Sequence, residues 1–90
     1  MPRYFFDFRD GETVPDLDGT ELDSVDAARY EAALALAEFA RDVLPGSHHR
    51  ELMIEVHEEA GPILFTASLV FAMIESSELA SPSPRGIVRT

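Results

Sequence analysis

The sequence contains no cysteine and no lysine, and its acidic residues far outnumber its basic ones. Without cysteine there are no disulfides, no thiolate metal ligands and no thiol nucleophile. Seven arginines stand against seventeen Asp and Glu, which gives the 90 residues a formal net charge of −10. Binding to nucleic acid or to anionic membranes depends on clustered Lys and Arg that neutralise phosphates. We therefore predict that the protein binds neither nucleic acid nor membranes.

Long hydrophobic runs are missing as well, and we expect no secretory leader. The longest apolar run, Leu69 to Ile74, is far shorter than the ~20 residues that span a bilayer. Charged residues between Asp7 and Asp10 interrupt the apolar segment that a signal peptide needs. The apolar residues fall instead in patterned blocks, as is typical of a globular domain. We expect one cytoplasmic domain over residues 1–80 and a tail with little structure over 81–90.

The first residues alternate in a way that predicts a strand and a hairpin. The segment "RYFFDFR" (3–9) has two distinct faces: Tyr4, Phe6 and Phe8 on one, and Phe5, Asp7 and Arg9 on the other. Asp10-Gly11 favours a tight two-residue turn, and Pro15 ends the short return strand because it cannot donate to a ladder. A second turn follows at "DLDGTEL", where Gly19 is expected to have a positive φ.

An apolar stripe predicts a helix over about residues 24–44. Its members recur at steps of three and four residues: Val25, Ala28, Ala32, Leu36, Phe39 and Val43. Asp23 or Ser24 is suited to cap the helix start, and Pro45-Gly46 ends it.

The second half of the chain predicts a second hairpin. After a loop at 46–50, "ELMIEVHEE" alternates, with apolar residues at 52, 54 and 56 on one face. A turn at 59–62 leads into the strand "ILFTASL". Residues 68–80 suit either an extension of this strand or a short helix from about Ser68, and their composition favours the helix. The fold class is therefore α+β, in the order ββαββ, with a three- or four-stranded antiparallel sheet and one main helix on one face.

Several segments carry a family resemblance. These segments are "PRYFFDFRDGE", "PDLDGTEL", an Ala-rich helix with "AAR" at 27–29, and "EEAGPILF". In them the chain resembles a family of short uncharacterised proteobacterial proteins, classed as a domain of unknown function. The resemblance covers residues 2–67. It implies the ββαββ fold and brings no activity, substrate or catalytic residue. Members of the family usually end soon after the last strand with a polar stretch, whereas "SLVFAMI" in this chain is apolar.

Sites of catalysis or metal binding have little support in the sequence. Asp16, Asp18 and Glu21 surround a glycine, but the spacing does not fit a calcium loop, and turn capping explains them. The histidines lack a partner ligand at metal-site spacing. We predict no metal and no cofactor. The alternative to an interaction protein is a small-molecule binder or small enzyme that uses Asp7, Glu55 and His57.

An apolar remainder favours an interaction protein. Once the face toward the helix is assigned, the residues left over include Phe5, Met53, Leu69 and Phe71. A small domain rarely leaves a large apolar patch in water. We therefore predict a homodimer or a protein partner that docks on a face or an edge of the sheet.

Overall fold

The computed structural model describes residues 1–76 as one antiparallel sheet with one helix. The elements in chain order are β1 (Arg3–Asp10), β2 (Glu12–Val14), β3 (Thr20–Glu21), α1 (Val25–Val43), β4 (His49–Glu58) and β5 (Ile63–Ala72). The strand order is β2-β1-β4-β5, and β3 also pairs with β1. The α+β class is confirmed, and the short strand β3 is added to the predicted ββαββ order. The predicted tail over 81–90 lies outside the described residues.

Strand β1 has a neighbour along each of its two edges. One edge pairs with β4 over Tyr4 to Arg9, and the opposite edge is shared between β2 and β3. The β1–β2 turn is tighter than the expected two-residue turn, because Asp10 lies opposite Glu12 across Gly11. Gly11 has a φ of 83°, in the left-handed region that glycine adopts without a steric penalty.

Helix α1 begins and ends close to the predicted positions. Of the two candidate caps, Ser24 is the one used: its hydroxyl accepts a hydrogen bond from the Ala27 amide at 3.1 Å. The helix ends at Val43, and Gly46 follows with a φ of 90°. Alanines at 28, 32 and 40 are buried against the sheet, which allows the helix axis to lie close to β4 and β5.

The core lies between α1 and the sheet face that it covers, called here the helix face. Its fully buried members include Tyr4, Leu52, Ile54 and Val56. The partly buried side chains around them are Phe6, Phe8, Leu22, Val25, Ala35, Phe39, Val43, Leu44, Phe65 and Ala67. The alternation in β1 and β4 therefore predicted the buried face correctly. No helix or strand within residues 1–76 packs across the opposite face, called here the outer face.

Two details of the second hairpin differ from the prediction. His49 and Arg50 belong to β4 and not to the preceding loop. Residues 68–72 belong to β5, so the strand extension is the alternative that forms there, and the prediction that a helix begins at Ser68 is wrong. Each of these residues has a partner on β4, from Met53↔Ser68 to His49↔Ala72, and this pairing prevails over the helix propensity of the segment. The part of the predicted helix from residue 77 on lies outside the described residues.

The same truncation at a buried and an exposed leucine should have unequal effects. Leu52 is 1% exposed and Leu34, on α1, is 43% exposed. We expect Leu52→Ala to lower the free energy of unfolding by about 2–5 kcal/mol, because it leaves a cavity in the core. Leu34→Ala should change it by less than about 1 kcal/mol. Urea unfolding monitored by circular dichroism measures both, and equal losses would contradict the assigned core.

Candidate functional site

The Asp16 carboxylate fills a gap between β2 and β3 at the edge of β1. It accepts hydrogen bonds from the backbone amides of Phe6 (3.1 Å), Asp18 (3.2 Å) and Gly19 (3.1 Å). Phe6 lies between the stretch of β1 that pairs with β2 and the stretch that pairs with β3. A side chain therefore takes the place that a neighbouring strand would occupy there. The Asp16 amide in turn donates to the Asp7 carboxylate at 2.9 Å.

The electrostatics of Asp16 follow from these contacts. Partial burial on its own would raise the pKa of the Asp16 carboxyl, because it disfavours the charged form. Hydrogen bonds from the Gly19, Phe6 and Asp18 amides outweigh that effect and hold the pKa of Asp16 below its ordinary value. The carboxylate is thus held ionised by the chain's own backbone.

The turn that carries Asp16 packs closely against β1. Gly19 has a φ of 75°, and a Cβ built there would lie 2.7 Å from Arg3 Cγ and 3.0 Å from Phe5 Cε2. A side chain at this position would therefore be strained by the backbone and crowded by two neighbours. Arg3 holds the same turn through the Asp18 carbonyl at 3.0 Å and the Glu21 carboxylate at 2.9 Å.

His57 joins β4 to this arrangement on the outer face. Its Nε2 lies 3.1 Å from Asp7 Oδ2, and its Nδ1 lies 2.8 Å from the Glu58 carbonyl oxygen. Both partners are acceptors, and only the imidazolium form donates from both nitrogens. The hydrogen bond to the Glu58 carbonyl is the main cause that raises the pKa of His57, burial opposes it, and the Asp7 carboxylate adds to the rise.

The three residues of the predicted alternative site do not act together. Asp7 and His57 are in contact, but Glu55 forms an ion pair with Arg9 at 3.6 Å. Both nitrogens of His57 are bound to acceptors within the chain. A general base needs a free lone pair directed at a substrate, and this histidine does not present one.

The four predicted interaction residues do not form one patch. Phe5 and Met53 lie on the outer face, where the Phe5 ring stacks on the His57 ring with centroids 5.5 Å apart. Leu69 and Phe71 lie on the helix face, because they alternate in register with the partly buried Phe65 and Ala67. Phe5 is half-buried between His57 and the Gly19 turn, so part of its ring packs within the chain.

The outer edge of β5 presents backbone groups that no strand within residues 1–76 binds. The Met73 amide donates to the His48 carbonyl at 2.7 Å, which sets the alternation of hydrogen bonds between β4 and β5. Odd-numbered residues from 65 to 71 bind β4, and even-numbered residues direct their N–H and C=O groups away from it. The outward residues are Thr66, Ser68, Val70 and Ala72.

This edge also lacks charge. No ionisable side chain occurs between Ala60 and Ile74, although acidic residues are abundant elsewhere in the chain. Several apolar side chains of the segment are exposed, and Val70 reaches 63%. Natural edge strands are normally protected by Lys, Pro, bulges or short length. The ten residues of β5 have a register shift near Ile63 and Phe65, and the pairing from Phe65 to Ala72 is regular.

A cleft of about 340 Å³ opens between the first half of α1 and β1. Helix α1 packs against β4 and β5, which leaves the space above β1 partly open. Its lining is mainly apolar and consists of Phe6, Phe8, Val14, Pro15, Asp16, Thr20, Glu31 and Ala35. The Asp16 carboxylate is bound to backbone amides, so Thr20 and Glu31 are the other polar side chains that the lining offers to a ligand.

Two further searches concern only the described part of the chain. Nowhere in residues 1–76 do three His, Asp or Glu side chains come together in a way that could hold a metal ion. None of the same residues belongs to a helix with the length and hydropathy needed to cross a bilayer.

These features define a small α+β domain whose sheet has one edge closed by a turn, and whose other edge is not paired with any strand among residues 1–76. The chain belongs to the family described as a domain of unknown function (DUF6894), which matches residues 3–70. The match runs from the start of β1 into β5 and confirms the resemblance to an uncharacterised domain. A comparison with curated proteins and with solved structures finds no match.

Removal of the Asp16 carboxylate should destabilise the fold. Asp16→Ala leaves the amides of Phe6 and Gly19 without their acceptor, and we expect a loss of about 1–3 kcal/mol in the free energy of unfolding. Asp23→Ala removes the same group at an exposed position and should change stability by less than about 0.5 kcal/mol. Urea unfolding at neutral pH compares the two variants. An Asp16→Ala variant as stable as Asp23→Ala would show that the hydrogen bonds of the Asp16 carboxylate do not stabilise the fold.

Loss of the proton from His57 should make the free energy of unfolding fall as pH rises. The pKa of His57 is raised in the folded chain, so its contribution is fully present below pH 6.5, the ordinary value. It is lost as pH increases from 6.5 through the raised pKa of the folded state. His57→Gln should flatten this part of the stability–pH profile. An NMR titration of His57 provides the second measurement, and an imidazole that titrates below 6.5 would contradict the assignment.

Proposed function

We propose that this is a small cytoplasmic interaction protein that receives an extended segment of a protein partner at the outer edge of β5. The observation that carries the proposal is the regular, uncharged edge from Phe65 to Ala72, with its outward-directed backbone groups. A strand that adds to such an edge gains main-chain hydrogen bonds, and its side chains meet those of β5 on both faces.

The contrast between the two edges of the sheet supports this proposal. At the opposite edge, β2, β3 and the Asp16 carboxylate together bind outward-directed groups of β1 from Arg3 to Asp10. The β5 edge has no corresponding cover among residues 1–76, and neither charge nor proline interrupts it. An unprotected edge of this length is a site where another chain pairs.

An extended protein segment fits the β5 edge better than nucleic acid or an anionic surface does. The net charge of −10 opposes phosphate groups. An uncharged edge surrounded by an acidic surface accepts a strand that is itself apolar or basic. The small-molecule alternative has weaker support, because Asp7 and His57 bind each other and Glu55 binds Arg9.

A matched pair of leucine substitutions tests the role of the edge. Leu69 is on β5 and 36% exposed, and Leu34 is on α1 and 43% exposed. Leu69→Lys places a charge beside the edge, as natural proteins do to block strand addition. Leu34→Lys makes the same change in net charge at a distance from it. The wild type and both variants serve as tagged baits in an extract of the native host, followed by mass spectrometry.

We expect the wild type and Leu34→Lys to capture a common protein, either a different chain or the untagged copy of this one. Leu69→Lys should lose at least ~90% of that capture, since strand addition at a blocked edge costs more than a tenfold change in affinity. Equal capture by all three baits, or capture by none, would contradict the proposed function.

A further inference from the structure

We infer that the segment received at the β5 edge is β5 of a second copy, so that two sheets join into one continuous antiparallel sheet. This inference rests on the proposed function and names its partner. The outward-directed residues Thr66, Ser68, Val70 and Ala72 are evenly spaced, and their midpoint is Leu69. A two-fold axis through Leu69 therefore matches every outward group with an outward group of the other copy.

The backbone of this arrangement is fully paired. Ser68 lies opposite Val70 of the second copy, and Thr66 lies opposite its Ala72, with the same pairs repeated by symmetry. Each pair exchanges two hydrogen bonds, which gives about eight across the interface. The register shift near Ile63 and Phe65 lies outside the paired stretch and does not interfere with it.

The side chains fit in size as well. Between the hydrogen-bonded pairs lie the closer pairs of an antiparallel ladder, and their side chains point to the helix face. Leu69 would meet Leu69 of the second copy, and small Ala67 would meet large Phe71. Phe65 would meet Met73, which is 55% exposed in the single chain. The half-exposed apolar residues at this end of the helix face would thus cover one another.

The distribution of charge favours a copy of the same chain at this edge above any other part of its surface. Two chains that carry −10 each repel one another at long range. The stretch from Ala60 to Ile74 has no ionisable side chain, so pairing about Leu69 places no like charges opposite each other. An acidic chain can associate with itself most readily where its own charge is absent.

Charged residues introduced at Leu69, the centre of symmetry, test the inference on the full chain. Sedimentation equilibrium at about 100 μM, where a micromolar association is nearly complete, should show a dimer for the wild type and for Leu34→Lys. Leu69→Lys and Leu69→Glu each place like charges opposite one another and should weaken the dimer by at least ~10-fold. An equimolar mixture of the two variants should recover a heterodimer, because Lys then faces Glu. Added salt should tighten the wild-type dimer, since it screens the net repulsion.

Amide hydrogen exchange of the wild type provides a second measurement, which does not depend on whether the variants fold. The Thr66, Ser68, Val70 and Ala72 amides should become protected as concentration rises. A monomer with fast exchange at these amides overturns the inference, and capture that Leu69→Lys abolishes would still support the proposed function with another partner. A monomer with slow exchange means that the same chain covers the edge, which overturns both. A dimer unaffected by Leu69→Lys uses another surface and overturns the inference.

Discussion

The carboxylate of Asp16 completes the hydrogen bonding along the edge of β1 that faces away from β4. Strands β2 and β3 are too short to cover that edge by themselves, and Asp16 binds the Phe6 amide in the gap between them. The same carboxylate shapes the turn through Gly19, and that turn leads through β3 to the cap of α1 at Ser24. The segment that leads into the helix is therefore attached to β1 through a side chain that takes the place of a strand.

This closure makes the sheet asymmetric, and the asymmetry suggests where the protein acts. On the β1 side, two short strands and one carboxylate bind backbone groups of β1, and Arg3 and His57 attach the turn to the sheet. On the β5 side, a long regular strand ends the sheet without any such device among the described residues. Because an edge strand without protecting features is prone to pair with another chain, the difference between the two edges supports the proposed docking at β5.

Periodicity was sufficient to predict most of the fold. The alternation around Phe6 and Ile54 and the stripe along α1 are local signals, and the structure confirms the faces they predicted. What depends on distant partners was not predictable from local pattern. The strand at Ser68–Ala72 forms because β4 lies beside it, and β3 is only two residues long and pairs with β1. The sequence predicted only that Asp16 caps a turn. Its hydrogen bond from the Phe6 amide could not be predicted, because that contact depends on how β1 is aligned with β2 and β3.

The polar network on the outer face also bears on function, because it shows which groups are already used. Asp7, Asp16 and His57 bind one another or the backbone, and Glu55 binds Arg9. These groups already have partners within the chain, and a substrate that displaced those of Asp7, Asp16 or His57 would weaken the attachment of the turn to β1. The backbone at the outer edge of β5 requires no such exchange, because no strand within residues 1–76 binds its outward groups. Strand addition at β5 is thus the mode of binding that the rest of the fold least opposes.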